Sequence, residues 1–260
     1  MGEEHWTLQL FVHHPDLFLP IHEAGLPYAA DQVARLEQIL RKAGVRGRRL
    51  LDAPCGIGRH AVHFAKRGWQ VVGLELVPAY VERAEALARD LGVERRVGFR
   101  QGDLREVGSS LRDEEPFHAI VNLLTSLGYW DDDTDLAILR QFRDLAAKGG
   151  VLVLDVINRD FVVRHFEPSS FEDYGSVAYR ERRTLDLARS RIESEWTFYR
   201  KSGDDLRDPV TVEISQRVYA PHEVGSVLHE AGWSKVKLFG GWDLKPLSAD
   251  ESRLLAVARN

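Results

Sequence analysis

Three acidic residues, each closing a short apolar run, carry most of the chemistry in this sequence. Leu50-Leu51 leads into Asp52, Val71-Val72-Gly73-Leu74 into Glu75, and Val97-Gly98-Phe99-Arg100-Gln101-Gly102 into Asp103. Each run reads as a strand, and helix-like segments separate them, so the strands lie parallel and end on one edge. Ligands of open α/β sheets sit at that carboxyl edge. A single acid at a strand end is an ordinary turn or cap residue. Three in step point to a ligand.

The turn after Asp52 agrees. Gly56 and Gly58 let the backbone pass close to a ligand where a Cβ would collide. Glu75 follows at roughly the 20-residue spacing from which an acid takes ribose hydroxyls. Gly56-Ile57-Gly58-Arg59-His60-Ala61 also fits the G-x-G-x-x-G/A dinucleotide pattern, so NAD competes with S-adenosylmethionine for the site. Charge separates the two. A dinucleotide brings a pyrophosphate, an odd neighbour for Asp52, whereas S-adenosylmethionine brings an ammonium and a sulfonium that Asp52 suits. Asp103 could then accept from the adenine amino group. Cys55, inside the turn, reads as a small packing residue and not as a nucleophile.

The run Leu51-Asp52-Ala53-Pro54-Cys55-Gly56-Ile57-Gly58-Arg59-His60-Ala61, with Val72-Gly73-Leu74-Glu75 and Gln101-Gly102-Asp103, resembles the class I S-adenosylmethionine-dependent methyltransferases. Gly149-Gly150-Val151-Leu152-Val153-Leu154-Asp155 is similar to that family's fifth strand. Pro54 stands where the family's first glycine does, which stiffens the turn but leaves the two glycines nearest the ligand. The resemblance implies that Asp52, Gly56 and Gly58 surround the methionine part of the donor. It implies that Glu75 takes the ribose and Asp103 the adenine, with Ala53, Leu76 and Leu104 as further donor contacts. Asn122 stands where the family contacts the donor's methionine end.

Composition bounds the reading. At 260 residues the chain allows one large α/β domain with an inserted subdomain. A net charge of −5 gives no general attraction to a nucleic-acid backbone. A single cysteine excludes an internal disulfide framework. With no signal peptide and no membrane-length apolar run, a cytoplasmic protein is expected, away from membranes. His13-His14 lacks further ligands at metal-binding spacing, so no metal site is expected.

The fold expected is α/β: a Rossmann-like seven-stranded mixed sheet with an N-terminal helical cap and an antiparallel β insert. The segments are 1–44 for the cap, 45–160 for the donor-binding core, 161–220 for the insert and 221–260 for completion of the core sheet. Within the cap, Tyr28 to Ala43 is an amphipathic helix with Val33, Leu36, Ile39 and Leu40 on one face. The aromatic and histidine-rich stretch before it either covers the cofactor edge or docks on the outer helices. Asp131 to Asp135 reads as a capped helix start. In the insert, the β-prone runs are Val177 to Leu187, Arg191 to Tyr199 and Val210 to Tyr219.

Methyl transfer from a sulfonium is an in-line displacement, so the protein mainly aligns acceptor, methyl and sulfur. The acceptor-side candidates are Tyr28, Thr125, Tyr129, Asn158, Arg159 and Trp196; no pair stands out as a catalytic base. His60 either encloses the donor or caps its helix. The expected reaction is N- or O-methylation of a small-molecule acceptor. The insert, like that of relatives acting on glycine-type amines and amino sugars, roofs the pocket or pairs subunits into a homodimer. The rival readings are a methyltransferase acting on RNA or protein, an NAD-dependent oxidoreductase, and a donor-binding protein without catalysis.

Overall fold

A computed structural model describes residues 4–260. The chain opens with a π-helical turn (Leu8–Val12), α1 (Pro15–Ala24) and α2 (Ala29–Lys42). The core then alternates β1 (Arg49–Asp52), α3 (Arg59–Lys66), β2 (Gln70–Glu75), α4 (Pro78–Asp90), β3 (Val97–Gln101), the short α5 (Val107–Ser110), β4 (Phe117–Asn122), α6 (Asp132–Leu145) and β5 (Ala146–Ile157). After the short α7 (Arg159–Arg164) come β6 (Ser169–Asp173), β7 (Val177–Asp186), β8 (Arg191–Ser202) and β9 (Asp205–Arg217). The chain returns to the core through α8 (Pro221–Glu230), β10 (Ser234–Phe239) and β11 (Arg253–Arg259).

The core sheet has seven strands in the order β10-β11-β5-β4-β1-β2-β3, in which β11 alone runs against the rest, pairing antiparallel with both β5 and β10. Side chains alternate between its faces, as the strand period of two requires. Leu50, Val71, Val121 and Val153 pack with α2, α3 and α4, while Leu51, Val72, Ile120 and Leu152 pack with α6 and α8. The strand order reverses at β1, which lies between β2 and β4. Asp52 is level with Gly73 and Val121, so the ends of β1, β2 and β4 open into one crevice.

Strands β6 to β9 form a separate antiparallel sheet. β6 is an addition to the three runs legible in sequence: Ser169-Ser170-Phe171-Glu172-Asp173 is mostly exposed and draws its order from pairing with β7. Phe198, Val212 and Ile214 of this sheet bury Trp6, Leu10 and Leu17 of the N-terminal segment. That segment is thereby held between the sheet and the core. Asp131 caps α6, its side chain accepting from Thr134 N at 2.7 Å. Among the described residues no helix is long and apolar enough to cross a membrane, and no group of three or more His, Cys, Asp or Glu could hold a metal ion.

Candidate active site

A cavity of about 350 Å³ fills the crevice at the carboxyl edge. Its floor is the turn after β1. Gly56 takes a φ of +54° and Gly58 one of +73°, both in the left-handed region that favours glycine. At Gly58 a Cβ would stand 2.8 Å from Ala84 Cβ and 2.9 Å from the Phe99 ring, so this glycine brings α3 against α4 and β3. Gly56 directs its N–H to Glu75 Oε2 at 2.9 Å, and Val77 N donates to Oε1 at 3.0 Å. The carboxylate closing β2 therefore braces the turn that ends β1. Burial raises the Glu75 carboxyl, partly countered by these backbone donors.

Asp52 is 1% exposed, and its Oδ2 has no hydrogen-bond partner. Burial pushes its carboxyl up to about 7, against the pull of the Arg59 guanidinium and the Ala61 N–H and with the push of Glu75. A buried carboxylate oxygen without a donor is costly. At the wall of a cavity it asks for a cationic ligand group, and the ammonium of an amino-acid moiety meets that demand. The site therefore fits the methionine end of S-adenosylmethionine. It offers no welcome to a pyrophosphate, since Asp52 and Glu75 both flank the glycine turn. Burial, with Asp52 and Glu75 nearby, drives the Cys55 thiol well above its ordinary range. It stays protonated there and acts as packing.

The roof comes from the N-terminal segment, which brings Phe11, Phe18, Ile21 and His22 into the cavity wall. His22 lies directly over the turn, its Cε1 3.1 Å from where a Gly56 Cβ would be. Burial, with Arg59 adding to it, lowers His22 to about 4. His60 is likewise held neutral by burial, then by Arg59 and His63, and its Nε2 meets Gln32 Oε1 at 2.8 Å. Arg59 donates to Gly25 O at 2.9 Å and to Gln32 Oε1 at 3.1 Å, tying the turn to the cap. Of the two readings of the N-terminal stretch, the structure has it covering the cofactor edge.

Among the expected donor contacts, Asp52, Gly56, Glu75, Leu76, Asp103 and Leu104 line the cavity. Ala53, Gly58 and Asn122 stand behind this wall. Asn122 donates from Nδ2 to Ala53 O at 2.8 Å, and its buried Oδ1 has no partner. Asp103 accepts from Arg105 N at 2.8 Å and pairs with its guanidinium at 2.6 Å; despite partial burial, these bonds hold its carboxyl below the ordinary range.

The acceptor-side candidates are scattered. Tyr129 lines the cavity and is pushed up to about 12 by burial. Thr125 lies just outside it, beside Ser126, which is in the wall. Trp196 is one ring removed: it stacks on Tyr179 at 4.9 Å and on Phe18 at 6.3 Å. Tyr28 is 66% exposed and away from the cavity. Asn158 caps α7 and donates to Ser248 O and Glu251 O, while Arg159 donates to Ser190 Oγ at 2.9 Å. Neither lines the cavity. Trp242 lies beside His60, with ring centroids 5.9 Å apart.

Sequence reading placed no individual roof residue and missed Arg59 and Trp130. The density of aromatics between Trp6 and Phe18 was the available signal, but their facing depends on how the segment packs against β7 to β9.

The comparisons with known proteins agree on the family. A methyltransferase-domain family model matches residues 50–150, the stretch from β1 into β5. The chain is 30% identical over 146 residues to the dTDP-3-amino-3,4,6-trideoxy-alpha-D-glucopyranose N,N-dimethyltransferase of Streptomyces venezuelae, across 55% of this chain and 57% of that one. It thus spans about half the length of some curated relatives it matches. It is 35% identical over 254 residues to norajmaline N-methyltransferase of Rauvolfia serpentina, covering 91% of this chain and 82% of that enzyme. The crystal structure of DesVI from Streptomyces venezuelae superposes with a TM-score of 0.72 at 22% identity, over 94% of this chain and 97% of that one, which establishes the shared fold. With its seven-stranded mixed sheet, glycine turn and strand-end acids, the chain belongs to the class I S-adenosylmethionine-dependent methyltransferases.

Proposed function

We propose that this protein transfers the methyl group of S-adenosylmethionine to a nitrogen of a small-molecule acceptor. The roofed cavity carries the small-molecule part of the reading. Phe11, Phe18, Ile21 and His22 cover the donor edge, and the segment bearing them is clamped against β7 to β9. A reacting group therefore has to enter a space roofed by aromatic side chains, which suits a small ligand better than a polynucleotide or a folded protein. The −5 net charge points the same way.

S-adenosylmethionine, once bound, supplies an activated methyl on a sulfonium. Asp52 holds its ammonium, Glu75 its ribose and Asp103, with Leu104, its adenine. The chain then has to keep water out and orient the acceptor, tasks that fall to the roof aromatics, Tyr129 and Trp130. Nitrogen is favoured over oxygen because a hydroxyl needs a general base within reach. Burial makes both cavity histidines, His22 and His60, less basic than an ordinary imidazole, whereas an amine reacts through its own lone pair once it has lost its proton. The names of the two relatives above, both N-methyltransferases, support this reading.

The test is transfer of tritiated methyl from S-adenosylmethionine to a panel of small amines, including amino sugars and cyclic alkaloid amines. Matched alcohols, total tRNA and a mixed peptide substrate run in parallel. Label on amines alone is expected. Label on tRNA or peptide with none on the amines would overturn the proposal.

A further inference from the structure

The loop that carries Ser126, Tyr129 and Trp130 into the cavity begins with two successive residues in the left-handed region. Leu124 has a φ of +60° and Thr125 one of +68°. Such conformations are uncommon for residues with a Cβ, and for a β-branched threonine an outlier. They persist only where the surroundings hold them. Here one residue holds both amides of the turn. Asp155, 0% exposed at the end of β5, accepts from Leu124 N through Oδ2 at 3.1 Å, and its main-chain oxygen accepts from Thr125 N at 3.0 Å. Arg253 on β11 grips the same carboxylate, Nε to Oδ1 at 3.0 Å and Nη2 to Oδ2 at 2.7 Å. Further along, Gln216 donates to Thr125 O at 3.2 Å and Arg217 N to Gly128 O at 2.7 Å, which ties the loop to β9. The side chain of Leu124 lines both the donor cavity and a neighbouring one of about 330 Å³ that includes Asp155 and Arg253.

We propose that Asp155, oriented by Arg253, is a positioning residue that holds the Leu124–Thr125 turn in its left-handed form. It thereby sets the cavity wall formed by Leu123 to Trp130. The inference rests on the donor-binding part of the proposed function. Asparagine is the informative replacement. Its amide has one acceptor oxygen and one NH2, whereas the Leu124 N–H and two N–H groups of Arg253 all point at the carboxylate, so an amide turns a donor against a donor.

The probe is S-adenosylhomocysteine, titrated calorimetrically, with amide hydrogen exchange read over residues 122–131. Asp155→Asn is expected to weaken binding by about tenfold, the order for losing a hydrogen bond to a charged group, and to speed exchange in that loop while β1 to β3 stay protected. Adding Thr125→Gly, which removes the Cβ that disfavours the turn, should restore part of the lost affinity. A general loss of stability would not be repaired in this way. If Asp155→Asn does not fold, Arg253→Gln, which leaves the carboxylate in place but ungripped, is read by the same two measurements. Unchanged affinity and exchange in the folded variant would overturn the positioning role, and so would a double variant that binds no better than Asp155→Asn. Failure of the wild-type protein to bind S-adenosylhomocysteine would instead overturn the donor assignment itself.

Discussion

Replacing Asp52 by asparagine should make the free protein more stable while making it a poorer receptor for the donor. In the fold the Asp52 carboxyl is raised from 3.8 to about 7, chiefly by burial. A carboxyl raised on folding contributes stability that is complete below its unfolded pKa and is lost as pH climbs through its folded one. A rise of that size corresponds to about 4 kcal/mol, at about 1.36 kcal/mol per pKa unit, so ionised Asp52 strains the unliganded protein above pH 7. Asparagine keeps the shape without the charge. At pH 8 it should recover a part of that energy, roughly 1–3 kcal/mol after the cost of burying the amide. For a protein of this size each kcal/mol moves the melting temperature by about 2–4 °C.

Binding runs the other way. The donor's ammonium needs the ionised carboxylate, so wild-type affinity for S-adenosylhomocysteine should weaken by up to about tenfold per pH unit below 7. His22, lowered to about 4 by burial, does not titrate in that window and cannot imitate the effect. Asp52→Asn should flatten the profile and cost about 1.5–3 kcal/mol of affinity at pH 8, the range for a hydrogen bond to a charged group. Calorimetric titration between pH 5.5 and 8.5, paired with thermal melts of the free proteins, reads both effects. Wild-type affinity independent of pH, or an Asp52→Asn protein that melts lower at pH 8 and binds normally, would refute the reasoning.

Other perturbations separate support from binding. Glu75→Ala strips the partners from the Gly56 and Val77 amides; it should weaken S-adenosylhomocysteine by about 1–3 kcal/mol and lower the melting temperature of the free protein as well. Gly58→Ala places a Cβ against Ala84 and Phe99 in a left-handed residue, so melts should show a loss of more than about 1 kcal/mol, and an unchanged melting temperature would mean that the turn relaxes freely. Tyr219→Phe removes the 2.6 Å bond to buried Asp135, whose other oxygen already has no partner; denaturant unfolding should register a loss of about 1–3 kcal/mol, with S-adenosylhomocysteine affinity unchanged because neither residue lines the cavity.

The amino-acid order alone determined the parallel core and the acids at its edge. Strand, acid and turn are contiguous there: Leu51 next to Asp52, Leu74 next to Glu75. Side-chain period and turn chemistry act over a few residues, so neighbours in sequence decide where those carboxylates emerge. The antiparallel insert was legible for the same reason, through the change of rhythm after Asp155, while the seven-stranded mixed sheet followed from the family resemblance. Tertiary structure decided everything that depends on facing. Asn158 and Arg159 follow β5 as an acceptor-binding pair should, yet α7 turns them toward Ser248 and Ser190. Tyr28 belongs to the cap but is exposed to solvent, while Phe11, Phe18 and His22 of the same segment close the cavity because Trp6, Leu10 and Leu17 are buried against β8 and β9. The grip of Arg253 on Asp155 joins residues 98 positions apart. No local pattern marks such a pair, because a buried charge finds its partner only when β5 and β11 meet in the folded sheet.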